Sequence, residues 1–341
     1  MGGTEDRRRL EGYVEAASRT LDWAAGLLAE DGGFRGAEGE VDAYYFAPLA
    51  FLLGGRVREG RMVARYIERE FFRDGDVNDP ADEGLRPAAN FRNAWLCVGT
   101  HRLGEYALSY PAAAFLESCQ HPELGGVAIW RTDDPGERIM DMGTTAAATV
   151  AFLAAGRLEP ARRAGNFLAG TLVERQPESG RRILLRTDPE GRWITKFKEA
   201  EAARHEIRVG EPAQVYWFLG NAMAALGQLY LASGEERYLK AGRTVFGWAE
   251  ACAPGSFEDL TAAKAGWGAS VLYAATGERV FAEAAAAVGD MLVRTQLPEG
   301  VWLRRPSVSQ LAGQPAAVLL GTSLERVCWL MEMARNLVDQ E

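Results

Sequence analysis

Apolar residues recur along the chain at spacings of three and four rather than two, so helices dominate. The helical segments are of two kinds, and they alternate. One kind carries a wet face, as with Arg61, Arg65, Glu68 and Arg69, or Glu235, Glu236, Arg237, Lys240 and Arg243. The other kind, exemplified by 146–155, 215–231 and 265–275, is nearly free of charge through its middle and reads as surrounded on all sides. The spacing predicts wet-faced helices over 7–30, 57–72, 106–120, 159–176, 235–252 and 278–296, and apolar ones over 42–54, 91–103, 143–155, 212–233, 262–276 and 317–338. Pro160 and Pro212 fall at first-turn positions, where a missing N–H is tolerated, while Pro111 predicts a late start for the third pair.

Glycines punctuate this pattern. Wet-faced helices stop at glycines near 32, 75, 125, 180, 255 and 300, each followed by a longer connection. Apolar helices end in short turns: Gly54-Gly55-Arg56, Gly104-Glu105, Gly156-Arg157, Gly234-Glu235 and Gly277-Glu278. Twelve helices in six pairs, charged outside and apolar inside, predict an all-α fold, an (α/α)6 barrel closed on itself. An open superhelix is the alternative, but open helical repeats keep wet faces on both helices. The whole chain, 1–341, then reads as one toroid domain. With every tight turn at one end, the longer connections and the N-termini of the inner helices share the other, and the functional mouth is expected there. The longest insertion, 178–210, predicts a β-hairpin with strands 182–187 and 192–197 about the turn Asp188-Pro189-Glu190-Gly191, placed as a lid over that mouth.

Composition narrows the partners. A net charge of -9 without a basic stripe disfavours nucleic acid and anionic membranes, leaving a small molecule as the expected partner. The abundance of alanine and the 38 glycines suit closely packed helices. Four scattered cysteines with no Cys-x-x-Cys pair, and a charged start without a signal peptide, point to a cytoplasmic setting. The uncharged run 212–234 carries Gln214, Asn221 and Gln228 seven residues apart, so it is read as a buried helix lining a cavity rather than a membrane span.

Several outer-helix ends share a local pattern: Met291-Leu292, Gln296, Gly300 and Trp302; Phe115-Leu116, Gln120 and Gly125; Leu172, Gln176 and Gly180. In this the chain resembles the terpene cyclase/protein prenyltransferase superfamily, whose toroids are built from aromatic-Leu-x3-Gln-x(2–5)-Gly-x-Trp repeats. The resemblance implies a toroid with a central cavity. Class II cyclases of that superfamily carry an Asp-x-Asp-Asp-Thr-Ala motif whose middle aspartate is the acid. Here the corresponding stretch is Asp141-Met142-Gly143-Thr144-Thr145-Ala146, with Gly143 at the acid position, so the resemblance does not carry over proton-initiated cyclisation by that group.

Candidate chemistry comes from the first turns of the inner helices. These offer Asp42, Tyr44 and Tyr45; Asn90, Asn93 and Trp95; Asp141, Thr144 and Thr145; Glu211, Gln214, Tyr216 and Trp217; and Lys264, Trp267, Thr322, Ser323 and Glu325. Asp42, Asp141 and Glu211 also sit where acidic caps favour a helix dipole, and Tyr45, Trp217 and Trp267 also suit a core. A carboxyl desolvated among aromatic rings can nonetheless act as an acid near neutrality. The expected catalytic set is therefore Asp42 and Asp141 as acid/base pair, with His205 and Glu211. Tyr44, Tyr45, Asn93, Trp95, Thr145, Gln214, Trp217, Trp267 and Arg208 are the expected substrate-binding set. No metal-ligand spacing and no phosphate-binding loop after a strand appear, so neither metal nor cofactor is expected. Three readings follow: a metal-independent cyclase, isomerase or lyase; a carbohydrate-active barrel of the sugar epimerase or uronyl hydrolase type; and a non-catalytic ligand-binding toroid.

Overall fold

A computed structural model describes residues 2–304, 311 and 313–338. Its outer helices are α1 (Gly2–Leu27), α3 (Val57–Glu70), α5 (Tyr106–Ser118), α7 (Leu158–Asn166, continued as a π-helix over Phe167–Glu174), α9 (Glu236–Ala251) and α11 (Arg279–Thr295). The inner helices are α2 (Ala47–Leu53), α4 (Ala89–Leu103), α6 (Met142–Ala154), α8 (Trp217–Ser233), α10 (Ala263–Thr276) and α12 (Ala316–Asn336). Each inner helix packs on the next, α12 returns to α2, and the (α/α)6 barrel closes.

The glycines explain how the ring is held. In the five short turns, Gly55, Gly104, Gly156, Gly234 and Gly277 all take the left-handed conformation that side chains resist. At the other end, the stop glycines Gly75, Gly125 and Gly300 are left-handed and lie against the backbone of the following outer helix: a Cβ on Gly75 would stand 2.5 Å from Pro111 O, and one on Gly300 2.9 Å from Arg19 O. Glutamines fasten the same seams. Gln120 Nε2 donates to Gly125 O and to Pro160 O at the start of α7. Gln296 Nε2 donates to Gly300 O and, on α1, to Ala16 O and Thr20 Oγ1. The third glutamine differs: Gln176 brackets the Leu184 peptide, accepting its N–H and donating to its C=O, and so anchors the insertion instead.

Four expectations are corrected. The first inner helix begins at Ala47 rather than 42, because a helix from 42 would bury Pro48 in its interior, against the carbonyl four residues back; Pro48 instead occupies the first turn. α8 begins at Trp217 rather than 212, because Gly210 and Ala213 both have positive φ, which a helix does not admit. Glu211 and Gln214 therefore lie in the connection, and the seven-residue amide series starts within the helix only at Asn221. α5 starts at Tyr106 and runs through Pro111, losing one N–H while burying Leu108, Ala112, Ala113, Phe115 and Leu116. The insertion is not one hairpin. The turn at Asp188 forms, with Gly191 N–H donating to Asp188 O, but the return segment 192–200 has no buried residue to offer the sheet. Ile183 pairs instead with Ile207, in a sheet of β2 (Arg182–Leu184) with β4 (Glu206–Arg208). β3 (Arg186–Thr187) pairs with β1 (Met140–Asp141), tying the insertion to the start of α6. No described helix is long and apolar enough to cross a membrane.

Candidate functional site

The N-termini of the inner helices meet at the end of the ring carrying the long connections. The centre of this mouth is Lys264, in the first turn of α10 and only 5% exposed. Two glycines bring it there: Gly220 of α8 lies against the Lys264 backbone, and a Cβ on Gly268 would stand 2.5 Å from Gly220 O, so α8 and α10 pack main chain to main chain. The Lys264 ammonium pairs with the Glu325 carboxylate. It also faces four aromatic rings, Phe46, Phe91, Trp217 and Trp329, at 5.4 to 5.7 Å from their centroids, a distance at which ring quadrupoles attract a cation. Glu325 accepts a second bond from Trp329 Nε1 at 3.2 Å.

Burial by itself would raise the Glu325 carboxyl, but Lys264, the Trp329 N–H and Arg326 outweigh it and keep the group below the usual carboxylate range. Beside it, Tyr45 packs on Phe46 at 4.5 Å between ring centroids. Its phenol is pushed well above its ordinary value by burial first, then by the Glu325 and Asp42 carboxylates. Arg326, also buried, is pushed down to about 10 by desolvation and donates to Leu303 O. At the rim, Asp42 accepts from Arg92 Nε at 2.6 Å; the guanidinium is buried and also donates to Leu85 O, while the carboxylate is 60% exposed. The mouth thus holds an ionised carboxylate, an ammonium and a neutral phenol among aromatic walls. That set can accept a proton, donate one and hold a developing oxyanion.

The insertion forms a second polar wall. Asp141 caps α6, accepting the Thr144 N–H at 2.6 Å, and lies 3.6 Å from Arg186 on β3. His205 is buried and stacked on Phe197 at 4.6 Å; its Nδ1 has no partner among the described residues. Burial and Arg186 hold the imidazole below its ordinary value, partly opposed by Glu201 and Asp141. Arg208 is occupied by Glu199 and Glu206, and Glu211 is exposed 4.0 Å from it. Gln214 accepts the Arg208 N–H and donates to Pro212 O.

Of the expected residues, Asp42, Tyr45 and Trp217 meet at the mouth, with Trp95 and Trp267 beneath it. Trp95, Trp267 and Trp329 pack edge and face at 4.6 to 5.5 Å and plug the ring. Tyr44 turns away, stacked on Tyr66 of α3 with its hydroxyl taking the Phe34 N–H. Asn93 is tied to Val77 N–H, Asp76 and Asn90, and Thr145 takes the Val127 N–H, so both brace connections. Gly143 meets Trp217, whose ring would stand 2.6 Å from a Cβ there, leaving no room for an acid at that position. The sequence reading places both Lys264 and Glu325 in first turns, without an assigned chemistry; Lys264 is in one, but Glu325 is the tenth residue of α12, in its third turn. The signal for Lys264 was present, since it is the sole charge between Asp259 and Glu278. Among the described residues, no three His, Cys, Asp or Glu side chains cluster as metal ligands.

No family model matches the sequence, and a search of curated proteins finds no match. Solved structures do match in fold. A D-mannose isomerase superposes with a TM-score of 0.65 at 12% identity, covering 94% of this chain and 96% of its own. The GH76A α-1,6-mannanase from Salegentibacter sp. HEL1_6 gives 0.61 at 18% identity, covering 96% and 100%. The type II terpene cyclase MstE from Scytonema, as a variant in complex with merosterolic acid A, gives 0.59 at 13% identity, covering 97% and 99%. At these identities the likeness is one of fold, and the chain is an (α/α)6 toroid built like theirs.

Proposed function

We propose that this protein is a metal-independent acid/base enzyme that isomerises a small oxygenated molecule, of the carbohydrate class, at the mouth of the toroid. The observation that carries the reading is the Lys264–Glu325 pair enclosed by four aromatic rings beside a neutral Tyr45. Aromatic faces suit the C–H face of a sugar, and the surrounding charges suit its hydroxyls. A substrate carbonyl oxygen docked on Lys264 draws the ammonium from Glu325. Burial then pushes the carboxyl upward, and Glu325 becomes a stronger base for the proton on the neighbouring carbon. The ammonium and a hydrogen bond from the neutral Tyr45 hydroxyl stabilise the enolate oxygen in a water-poor site; the proton of the C2 hydroxyl passes to the C1 oxygen, and Glu325 returns the abstracted proton to C1. Asp42 positions Arg92 at the rim, while Asp141 and His205 line the insertion side. The fold shared with a D-mannose isomerase is consistent with this chemistry.

The reading of an isoprenoid cyclase fits less well, because the aromatic box that would receive a carbocation already faces the Lys264 ammonium. The test is a panel of aldoses, ketoses and α-1,6-linked mannobiose followed by proton NMR. Isomerisation of a monosaccharide by the wild type, reduced about a hundredfold or more in Glu325→Gln and Lys264→Met, is the expected result. Turnover that survives both substitutions, or cleavage of the disaccharide alone, contradicts it.

A further inference from the structure

The first outer helix, α1, carries two apolar stripes rather than one. Tyr13, Ala17 and Leu21 lie on its buried side, with the Tyr13 hydroxyl donating to Asp290 on α11. Leu10 and Val14, one turn apart, form the second stripe, and it faces solvent: Val14 is 42% exposed. At the short-turn end of the ring, opposite the mouth, this stripe and the end of α12 enclose an open groove of about 1100 Å³, whose apolar wall is completed by Met331, Leu337 and Val338. Val338 is 56% exposed, and Leu10, Met331 and Leu337 are each partly open. Holding these side chains together in water is unfavourable, and a contiguous apolar patch rimmed by charges marks an interface.

The charges beside the groove select its occupant. Arg8, Glu11 and Glu15 follow one another along a single edge of α1, at i, i+3 and i+7. Glu11 is paired with Arg7, whereas Arg8 and Glu15, both exposed, have no ion-pair partner among the described residues. These two opposite charges flank the Leu10–Val14 stripe along the helix axis, one on each side, so the edge is complementary to itself turned end for end. We propose that a second copy of this chain occupies the groove, the two α1 helices packing antiparallel across a two-fold axis near Glu11. Arg8 of each copy then meets Glu15 of the other, Leu10 and Val14 pack on their counterparts, and Glu11 at the axis keeps its own Arg7. The two α1 helices and the ends of the two α12 helices make a four-helix bundle. The mouth lies at the opposite end of the ring, so the inference is independent of the chemistry at Lys264.

The test is sedimentation velocity of the full chain from about 1 to 100 μM, at a salt concentration where the Debye length is about 8 Å and the net charge of -9 on each copy is screened. The expected result is a monomer–dimer equilibrium with a dissociation constant of about 10 μM or below, and no larger species, because a two-fold contact closes at two. Val14→Glu with Val338→Glu leaves monomer throughout. Arg8→Glu and Glu15→Arg each weaken dimerisation about tenfold, and the two together in one chain restore it to within about threefold of the wild type, since the swapped charges pair again across the axis. Circular dichroism melts confirm that each variant is folded, and if Val14→Glu with Val338→Glu does not fold, the charge swap decides. A wild type that stays monomeric at about 100 μM or forms larger species, a dimer that survives Val14→Glu with Val338→Glu, single charge variants that dimerise as the wild type does, or a double charge variant no tighter than either single overturns the proposal.

Discussion

The outer seams and the mouth both bury polar side chains, and they do so in opposite ways. At a seam, Gln296 is satisfied by its surroundings: Ala16 O, Gly300 O and Thr20 on one side, the Arg19 guanidinium on the other. At the mouth, Lys264 has one carboxylate and four ring faces, and the Glu325 carboxyl is held down against burial by Lys264 first, then by the Trp329 N–H and Arg326. A half-buried amide with every bond made, as at Gln296, rigidifies a joint. A buried charge with a single partner is poised to exchange that partner for a substrate. Seam substitutions should therefore lower stability, and mouth substitutions should alter reactivity.

The largest effect is expected at Lys264. Lys264→Ala leaves the half-buried Glu325 with only the Trp329 N–H as a hydrogen-bond partner and should cost about 3–4 kcal/mol in chemical denaturation, whereas the double change Lys264→Met with Glu325→Leu should recover most of the stability but no activity. Next comes Gly125→Ala, which places a Cβ in a left-handed residue against the Arg163 backbone. Strain and overpacking together should cost about 3 kcal/mol by the same measurement, with the kinetics of the surviving folded protein unchanged. Gln296→Ala, which removes the amide's bonds to the seam but leaves the Thr20 hydroxyl donating to Gly300 O, should cost about 1 kcal/mol and likewise spare activity.

Acid should separate the two walls of the site. His205 and Glu325 both titrate lower in the folded chain than their ordinary values of 6.5 and 4.5. The unfolded chain then binds the proton first, so each group's stabilising contribution is present above its ordinary value and lost as pH falls through the folded one. Melting temperature should decline first from about pH 6.5 downward, a slope to which His101 and His121 also contribute and which His205→Phe reduces, and again below about pH 4.5, where Glu325→Gln reduces it. The smallest effect is expected at Glu199, which is exposed and whose partner Arg208 keeps Glu206: Glu199→Gln should cost under about 1 kcal/mol.

The ring was legible in the sequence because its determinants are local. A left-handed glycine ends each short turn, and the alternation of charged and apolar helices is written in side-chain type alone. Helix starts were less so at Ala47 and Trp217, where Pro48, Gly210 and Ala213 set the boundary through backbone geometry rather than hydrophobic period. The strand pairing of Ile183 with Ile207 was hidden because the nearer turn at Asp188 does form. Among site residues, the first-turn rule found Asp42, Tyr45 and Trp217. It could not tell that Tyr44, one residue on, faces the outer layer. Lys264 escaped because its partner Glu325 lies on another inner helix, and only closure of the ring brings the two together.

The central claim is that Glu325 and Lys264 perform proton transfer at a carbon beside a carbonyl. Solvent exchange reads this directly: each aldose of the panel is incubated with the protein in deuterium oxide, and the C2–H signal is followed by proton NMR. The account predicts that the wild type washes out C2–H from its substrate as it isomerises, and that Glu325→Gln and Lys264→Met do so at least about a hundredfold more slowly while remaining folded. Isomerisation that leaves no deuterium on carbon in either the product or the recovered aldose, as a hydride shift would, or exchange at the wild-type rate in Glu325→Gln, would contradict it.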